Sequence, residues 1–174
     1  MVRLVQKVNF VTSKWKNGGG VTHEIARSDT NEVFGWRLSV AEVGSDGPFS
    51  LFPSHARILT VIAGNGMKLV GQAQTHMADF MVPARFSGAE TIIGKLFAGP
   101  CRDFNLIFDP KRYSAEINVS RGERQISGCF AVYLVSGSAE GMEEGDLAFL
   151  DDPSDTLHLR EISCALLIQL KSNL

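Results

Sequence analysis

No stretch of this sequence is apolar for long enough to span a membrane as a helix or to form the core of a signal peptide. Its opening, MVRLVQKVNFVTSKW, alternates polar and apolar residues instead. A cytoplasmic protein without a membrane partner is expected. Basic charge is not in excess either: 17 Lys and Arg stand against 19 Asp and Glu, a net charge of -2, so no field draws in a nucleic-acid backbone. No nucleic-acid partner is therefore expected. Cysteine is scarce, and Cys101, Cys129 and Cys164 lie far apart with no Cys-x-x-Cys pair, which argues against a disulfide framework and a thiolate zinc site. They read as buried free thiols. Signatures of hydrolytic and phosphate chemistry are missing as well: there is no Gly-x-Ser-x-Gly elbow and no Gly-x-x-x-x-Gly-Lys loop, and SGSAEG at 136–141 reads as a turn.

What is present is β-structure. With 174 residues and 44% hydrophobic content the chain suits one compact unit or two closely joined β-modules. Helical stripes are nearly absent, and Gly, Asp and Pro punctuate short segments of two-residue alternation. The pattern predicts strands near Val2–Val8, Val21–Arg27, Gly35–Val43, Arg57–Ala63, Met67–Gly71, His76–Val82, Glu90–Phe97 and Asp103–Phe108. A second set falls near Tyr113–Val119, Gly128–Val135, Asp146–Leu150, Thr156–Ile162 and Cys164–Leu170. So many short strands predict a sandwich or jelly roll, which hides strand edges by folding sheets together. A faint repeat links VIAGNGMKL…THMADFMVPARFSGAETI to YLVSGSAEGMEEGDLAFLDDPSDTLHL. Two copies of one module and ordinary β-protein punctuation both account for it.

Three consecutive glycines, Gly18-Gly19-Gly20, precede an alternating run that puts Thr22 and Glu24 on one face and Val21, His23 and Ile25 on the other. The glycines could floor a pocket, since they allow close approach to the backbone, or form an ordinary flexible hairpin. GWRLSVAEV separates Trp36, Leu38 and Val40 from Arg37, Ser39 and Ala41, and RDFNLIF separates Asp103 and Asn105 from Phe104, Leu106 and Phe108. In SHARILTVIAG, Arg57 shares its face with Leu59 and Val61, which suits the mouth of a barrel; a surface position is the common fate of arginine. Arginines facing a partly dry cavity bind carboxylate or phosphate through paired N–H donors, with Asn, Ser and Thr fixing orientation. A small anionic metabolite is the expected guest. Glu24 and Asp103 would balance the arginines or accept ligand N–H groups.

WKNGGGVTHEI, GWRLSVAEVGSDGPFSLFPSHARILTVIAGNGMKL, FSG at 86–88 and RDFNLIF, in that order over roughly residues 15 to 108, together resemble the HutD/Ves family. The resemblance implies an all-β, double-cupin (bicupin) jelly roll of the RmlC-like kind with little helix, divided into an N-terminal module, 1–110, carrying the pocket motifs, and a C-terminal module, 111–174. It also implies a role in histidine utilisation as a small-molecule-binding, regulatory protein whose pocket takes an intermediate such as N-formylglutamate or urocanate. The family's motifs fall here on Trp15, Asn17, Gly18, Gly19, Thr22 and Glu24, then Arg37, Ser39, Phe49, Ser50 and Arg57, then Asp103 and Asn105. Trp15 reads as a packing lid and Phe49 as core, leaving the others as candidate ligand-binding residues.

Many cupins hold a metal through a His-x-His pair with a later Glu and a distant His, because imidazole and carboxylate must converge on one ion. His23, His55, His76 and His158 contain no such pair, and His76 with Asp79 is a thin substitute. No metal and no other cofactor are expected. The rival to a binding protein is a metal-independent isomerase or hydrolase acting on a small carboxylic acid, with Glu24 as its acid/base. A homodimer formed through sheet edges is compatible with either.

Overall fold

The computed structural model describes residues 1–29 and 34–173, and nearly all regular structure in it is β. In chain order the strands are β1 (Val2–Val5), β2 (Val11–Lys14), β3 (Gly20–Arg27), β4 (Trp36–Val43), β5 (Gly47–Pro48), β6 (Ala56–Ala63), β7 (Met67–Val70), β8 (Thr75–Ala78), β9 (Ala84–Ser87), β10 (Ile93–Leu96) and β11 (Cys101–Phe108). They continue as β12 (Tyr113–Arg121), β13 (Arg124–Ser127), β14 (Ala131–Ser136), β15 (Leu147–Leu150), β16 (Thr156–Leu159) and β17 (Cys164–Ser172). A 3-10 turn, Lys7–Asn9, ends the first strand earlier than alternation predicts. Alternation also passed over β2, β5, β9 and β13. These strands are at most four residues long, a length at which alternation marked some strands, such as β7 and β15, and not others.

The chain forms two compact units, Val11–Arg112 and Met1–Phe10 with Tyr113–Leu174. The first ten residues thus belong with the C-terminal segment rather than with a module 1–110. Pairing explains this: β1 runs antiparallel to β15, from Val2 opposite Leu150 to Val5 opposite Leu147, and the backbone N–H of Lys7 donates to Asp146 Oδ1 at 2.8 Å.

In the unit Val11–Arg112 a six-stranded sheet has the order β2-β3-β4-β11-β6-β9 and a four-stranded sheet the order β5-β10-β7-β8. Residues of both sheets meet in one core: Val43, Leu59 and Val61 from the first join Met67, Leu69 and Ala78 from the second. In the other unit a five-stranded sheet, β1-β15-β14-β17-β12, shares its core with the β13-β16 pair through Val132, Leu134, Leu150, Ile126, Leu157 and Leu159. The long pairings β6-β11 and β14-β17 each carry a register irregularity, at Arg102/Asp103 and at Leu134/Ser136, a local likeness between the units. The chain is therefore all-β with two cupin-like units, the bicupin class that the resemblance implies.

Candidate functional site

Three adjacent strands of the six-stranded sheet build the wall of a cavity of about 480 Å³. Pairing sets Arg37 of β4 opposite Ile107 of β11, and Ile107 opposite Arg57 of β6. The next rows are Ser39, Asn105 and Leu59, then Ala41, Asp103 and Val61. Two-residue alternation turns this whole set to one side of the sheet, so residues far apart in sequence share one surface. On the other side Leu38, Phe104, Leu106 and Phe108 are fully buried. Phe49, Ser50 and Phe52, which follow β5, close one flank of the cavity, and Lys14, Trp15, Lys16 and Asn17 of the β2–β3 hairpin close another.

Arg57 is the most enclosed cation, 6% exposed. Its Nη2 donates to Asn105 Oδ1 at 2.9 Å and its Nη1 reaches the Ser50 carbonyl at 3.4 Å, while Nε has no partner among the described residues. The rings of Phe86, Phe49 and Phe52 surround the guanidinium carbon at 5.1, 5.3 and 5.6 Å, favourable cation–π distances that hold the group without neutralising it. Burial lowers its pKa to about 10; Asp103 opposes that shift and Arg37 adds to it. Arg37 lies over Phe52 at 5.0 Å, and its Nε stands 3.9 Å from Glu24 Oε2, an ion-pair distance too long for a hydrogen bond. Burial also draws the Arg37 pKa down, against the pull of Glu24. Asp103, 1% exposed, accepts a hydrogen bond at Oδ1 from Asn105 Nδ2 and leaves Oδ2 without a partner among the described residues. Burial pushes its carboxyl up to about 7, held back by Arg57 and by the Asn105 bond.

Buried polar atoms in folded proteins are nearly always paired. Here Arg37 Nε, Arg57 Nε and Asp103 Oδ2 are not, and all three residues line one cavity. Two guanidiniums with unused donors on a half-dry surface suit an anion with two oxygens.

Of the residues singled out from sequence, Asn17, Thr22, Arg37, Ser39, Ser50, Arg57, Asp103 and Asn105 line this cavity. Gly18 and Gly19 do not: with Gly20 they line a neighbouring recess of about 730 Å³, so the expectation that the glycines floor the arginine pocket is corrected. Gly20 shows what one of them does. A Cβ there would lie 2.4 Å from the Glu42 carbonyl and 3.0 Å from the Trp15 ring, so its bare backbone lets the indole pack close against the strand. Trp15 Nε1 then donates to Thr22 Oγ1 at 2.8 Å, its ring meets Phe49 edge-on at 6.4 Å, and the residue borders both recesses. Glu24 is also outside the lining and sits beside Arg37 instead. Sequence reasoning passed over Lys14, Lys16, Phe52 and Ile107. Ile107 continues the alternation of Asp103 and Asn105 and was readable; Phe52, in an irregular segment, had no period to mark it.

The histidines are occupied separately. His23 lies between Thr12 Oγ1 at 2.9 Å and Glu42 at 3.3 Å, His55 Nε2 meets the Phe34 carbonyl at 2.8 Å, His76 meets Glu90 at 3.1 Å, and His158 meets Glu123 at 3.0 Å. Among the described residues no group of three or more His, Cys, Asp or Glu side chains is placed to hold a metal ion, and no helix is long and apolar enough to cross a membrane.

A sequence profile of the family described as HutD matches residues 7–171. The chain is 36% identical over 146 residues to an uncharacterised 21.2 kDa protein in the hutC 3′ region of Pseudomonas putida, covering 82% of this chain and 76% of that one. It is 32% identical over 108 residues to protein Ves of Cronobacter sakazakii, covering 61% and 60% of the two chains. Among solved structures, HutD from Pseudomonas fluorescens SBW25, in a formate condition, superposes with a TM-score of 0.82 at 31% identity, over 98% of this chain and 100% of that one. A profile spanning nearly the whole chain, together with a full-length structural likeness at that identity, places it: the chain belongs to the HutD family.

Proposed function

We propose that this chain is a cytoplasmic, metal-independent binding protein that holds an anionic intermediate of histidine utilisation, such as N-formylglutamate or urocanate, and thereby regulates flux through that pathway. The observation that carries this reading is the convergence of Arg37 and Arg57, with unused N–H donors, on one cavity. Its volume of about 480 Å³ lies within the range of roughly 300–1,000 Å³ usual for small-molecule sites. Membership of the HutD family supports the pathway, and the hutC-region relative points the same way. Ser39, Asn105 and Thr22 supply polar contacts for orientation, while Phe49 and Phe52 exclude water.

Calorimetric titration with N-formylglutamate, urocanate and formate tests the reading. Saturable binding that Arg57→Ala weakens by about 2–5 kcal/mol is expected, as for loss of a buried charge contact. Arg37, at 20% side-chain exposure, gives a second variant, Arg37→Gln, that leaves the most buried cluster intact. Undiminished binding in both variants would remove the arginines from the site.

The enzymatic alternative also has an observation in its favour, though on another residue than Glu24. Asp103 lines the cavity with a carboxyl near neutrality, which suits a general acid/base, whereas Glu24 stands outside it beside Arg37. Product formation followed by NMR, abolished by Asp103→Asn, would establish catalysis over passive capture.

A further inference from the structure

A carboxylate stands in the wall of a cavity whose other buried charges invite an anion. Asp103 and Arg57 do not bond directly; Asn105 bridges them, donating through Nδ2 to Asp103 Oδ1 and accepting through Oδ1 from Arg57 Nη2. The outer oxygen, Asp103 Oδ2, is buried and without a donor among the described residues. At the cavity Arg37 is offset by Glu24 and Arg57 by Asp103, while Lys14 and Lys16 of the hairpin are exposed to solvent, so an ionised Asp103 leaves the four inner groups neutral in sum. A carboxylate placed against those inner groups brings a second negative charge up to the buried Asp103, and like charges in one site disfavour each other's ionised forms. One proton removes the excess, and Oδ2 is the oxygen free to take it.

We propose that Asp103 takes up a proton from solvent whenever an anion enters the Arg37/Arg57 cavity, so that the site binds an anion and a proton together and discriminates by charge through this residue. The proposal rests on the carboxylate-binding reading above and deepens it. Once protonated, Oδ2 becomes a hydroxyl donor and can face a ligand oxygen that the ionised form would repel. Burial has already raised the Asp103 carboxyl to about 7, so a further push from a bound anion acts near neutral pH. The other charged or titratable groups around it are Arg57 from β6, Arg37 from β4, Glu24 from β3, Lys14 and Lys16 from the hairpin, and Cys101 on its own strand. Arg57 titrates only near 10, and burial, with Asp103 beside it, pushes the Cys101 thiol up to about 12. Both keep their protons at neutral pH.

The test is calorimetric titration of the full chain with N-formylglutamate, and with formate as a minimal carboxylate, between about pH 6 and 9; carboxylates of this kind titrate near 4 and stay ionised throughout. Affinity should fall with rising pH by up to tenfold per unit once Asp103 ionises in the empty protein, then level off at its bound-state value. Heats compared in two buffers of different ionisation enthalpy should show uptake approaching one proton at about pH 8. Asp103→Asn, uncharged at every pH, should bind roughly tenfold or more tighter than wild type at about pH 8.5, with a flat profile and no buffer dependence. Proton uptake by the unaltered protein decides the matter even where the variant does not fold. Binding with no proton uptake and no pH dependence overturns the proposal while leaving the carboxylate reading intact, as does a pH dependence that persists in Asp103→Asn. No binding of either probe at any pH overturns both.

Discussion

In the unit formed by Met1–Phe10 and Tyr113–Leu174, Ile126, Val132, Leu134, Leu150, Leu157 and Leu159 make up an aliphatic core shared by the two sheets. In the unit Val11–Arg112 the aliphatic core gives way along the same sheet face to Arg57, Asp103 and Asn105, with Arg37 at the edge. Both units bury an aspartate, and the two differ in how it is satisfied. Asp146, 3% exposed, accepts from the backbone N–H of Lys7 at 2.8 Å and of Glu143 at 3.0 Å, so both oxygens are engaged and the residue ties a loop to the entering chain. Asp103 is buried more deeply and has an oxygen to spare. Asp146 has its bonds complete and serves the fold; Asp103 keeps an unpartnered oxygen on the same surface as two unpartnered guanidinium nitrogens, which is what sets the two aspartates apart.

The sharpest way to break this contrast is to cut each unit at its centre. Arg57→Ala should weaken carboxylate binding by about 2–5 kcal/mol. Leu134→Ala, in the aliphatic core of the other unit, should instead destabilise the fold by about 2–5 kcal/mol and leave the affinity of the folded protein unchanged. Calorimetry and urea unfolding on both variants check this, and loss of binding in Leu134→Ala under folding conditions would deny that the site belongs to one unit. Next in size is the pH dependence of Asp103. Its folded pKa, near 7, is raised above the ordinary 3.8, so the folded state holds a proton that the unfolded state has lost. The stability this contributes is present in full below about 3.8 and is lost as pH rises from there to about 7, at roughly 1.4 kcal/mol per unit. Unfolding measured from about pH 5 to 7 should therefore show Asp103→Asn gaining on wild type by about 2 kcal/mol. A constant difference would mean an ordinary carboxyl.

Smaller effects test the margins. Gly20→Ala forces a methyl against the Glu42 carbonyl and the Trp15 ring, and should cost about 1–3 kcal/mol while shifting the tryptophan fluorescence. An unaltered spectrum would detach Gly20 from the seating of Trp15. At the far end, Arg3 and Asp151 form an exposed pair at 3.1 Å in the other unit, and Asp151→Asn should change stability by no more than about 1 kcal/mol, with no effect on binding.

Much of the candidate site was legible because strands obey a strict period. Arg37 with Ser39, and Asp103 with Asn105, could be put on one face from sequence alone, and Arg57 could be grouped with Leu59 and Val61. The glycines misled for a physical reason: close backbone approach serves a ligand and a neighbouring indole equally, and only the position of the Trp15 ring 3.0 Å from a Gly20 Cβ shows which applies. Glu24 shares a face with Thr22 and pairs in register opposite Ser39, yet its carboxylate stands beside Arg37 outside the cavity lining, a placement that strand period does not specify. Membership of the first ten residues was likewise unreadable, since a four-residue strand carries no mark of a partner some 145 positions away.

By itself, then, the sequence determined the all-β character, the face each side chain takes within its strand, and the family, because these depend on local period and on ordered motifs. Which strands lie side by side, and so whether Arg37 and Arg57 meet across Ile107, was decided only by tertiary pairing. The same holds for the charge state of Asp103. Its elevated pKa comes from burial, and burial is a property of everything packed around a residue rather than of the residue or its neighbours in the chain.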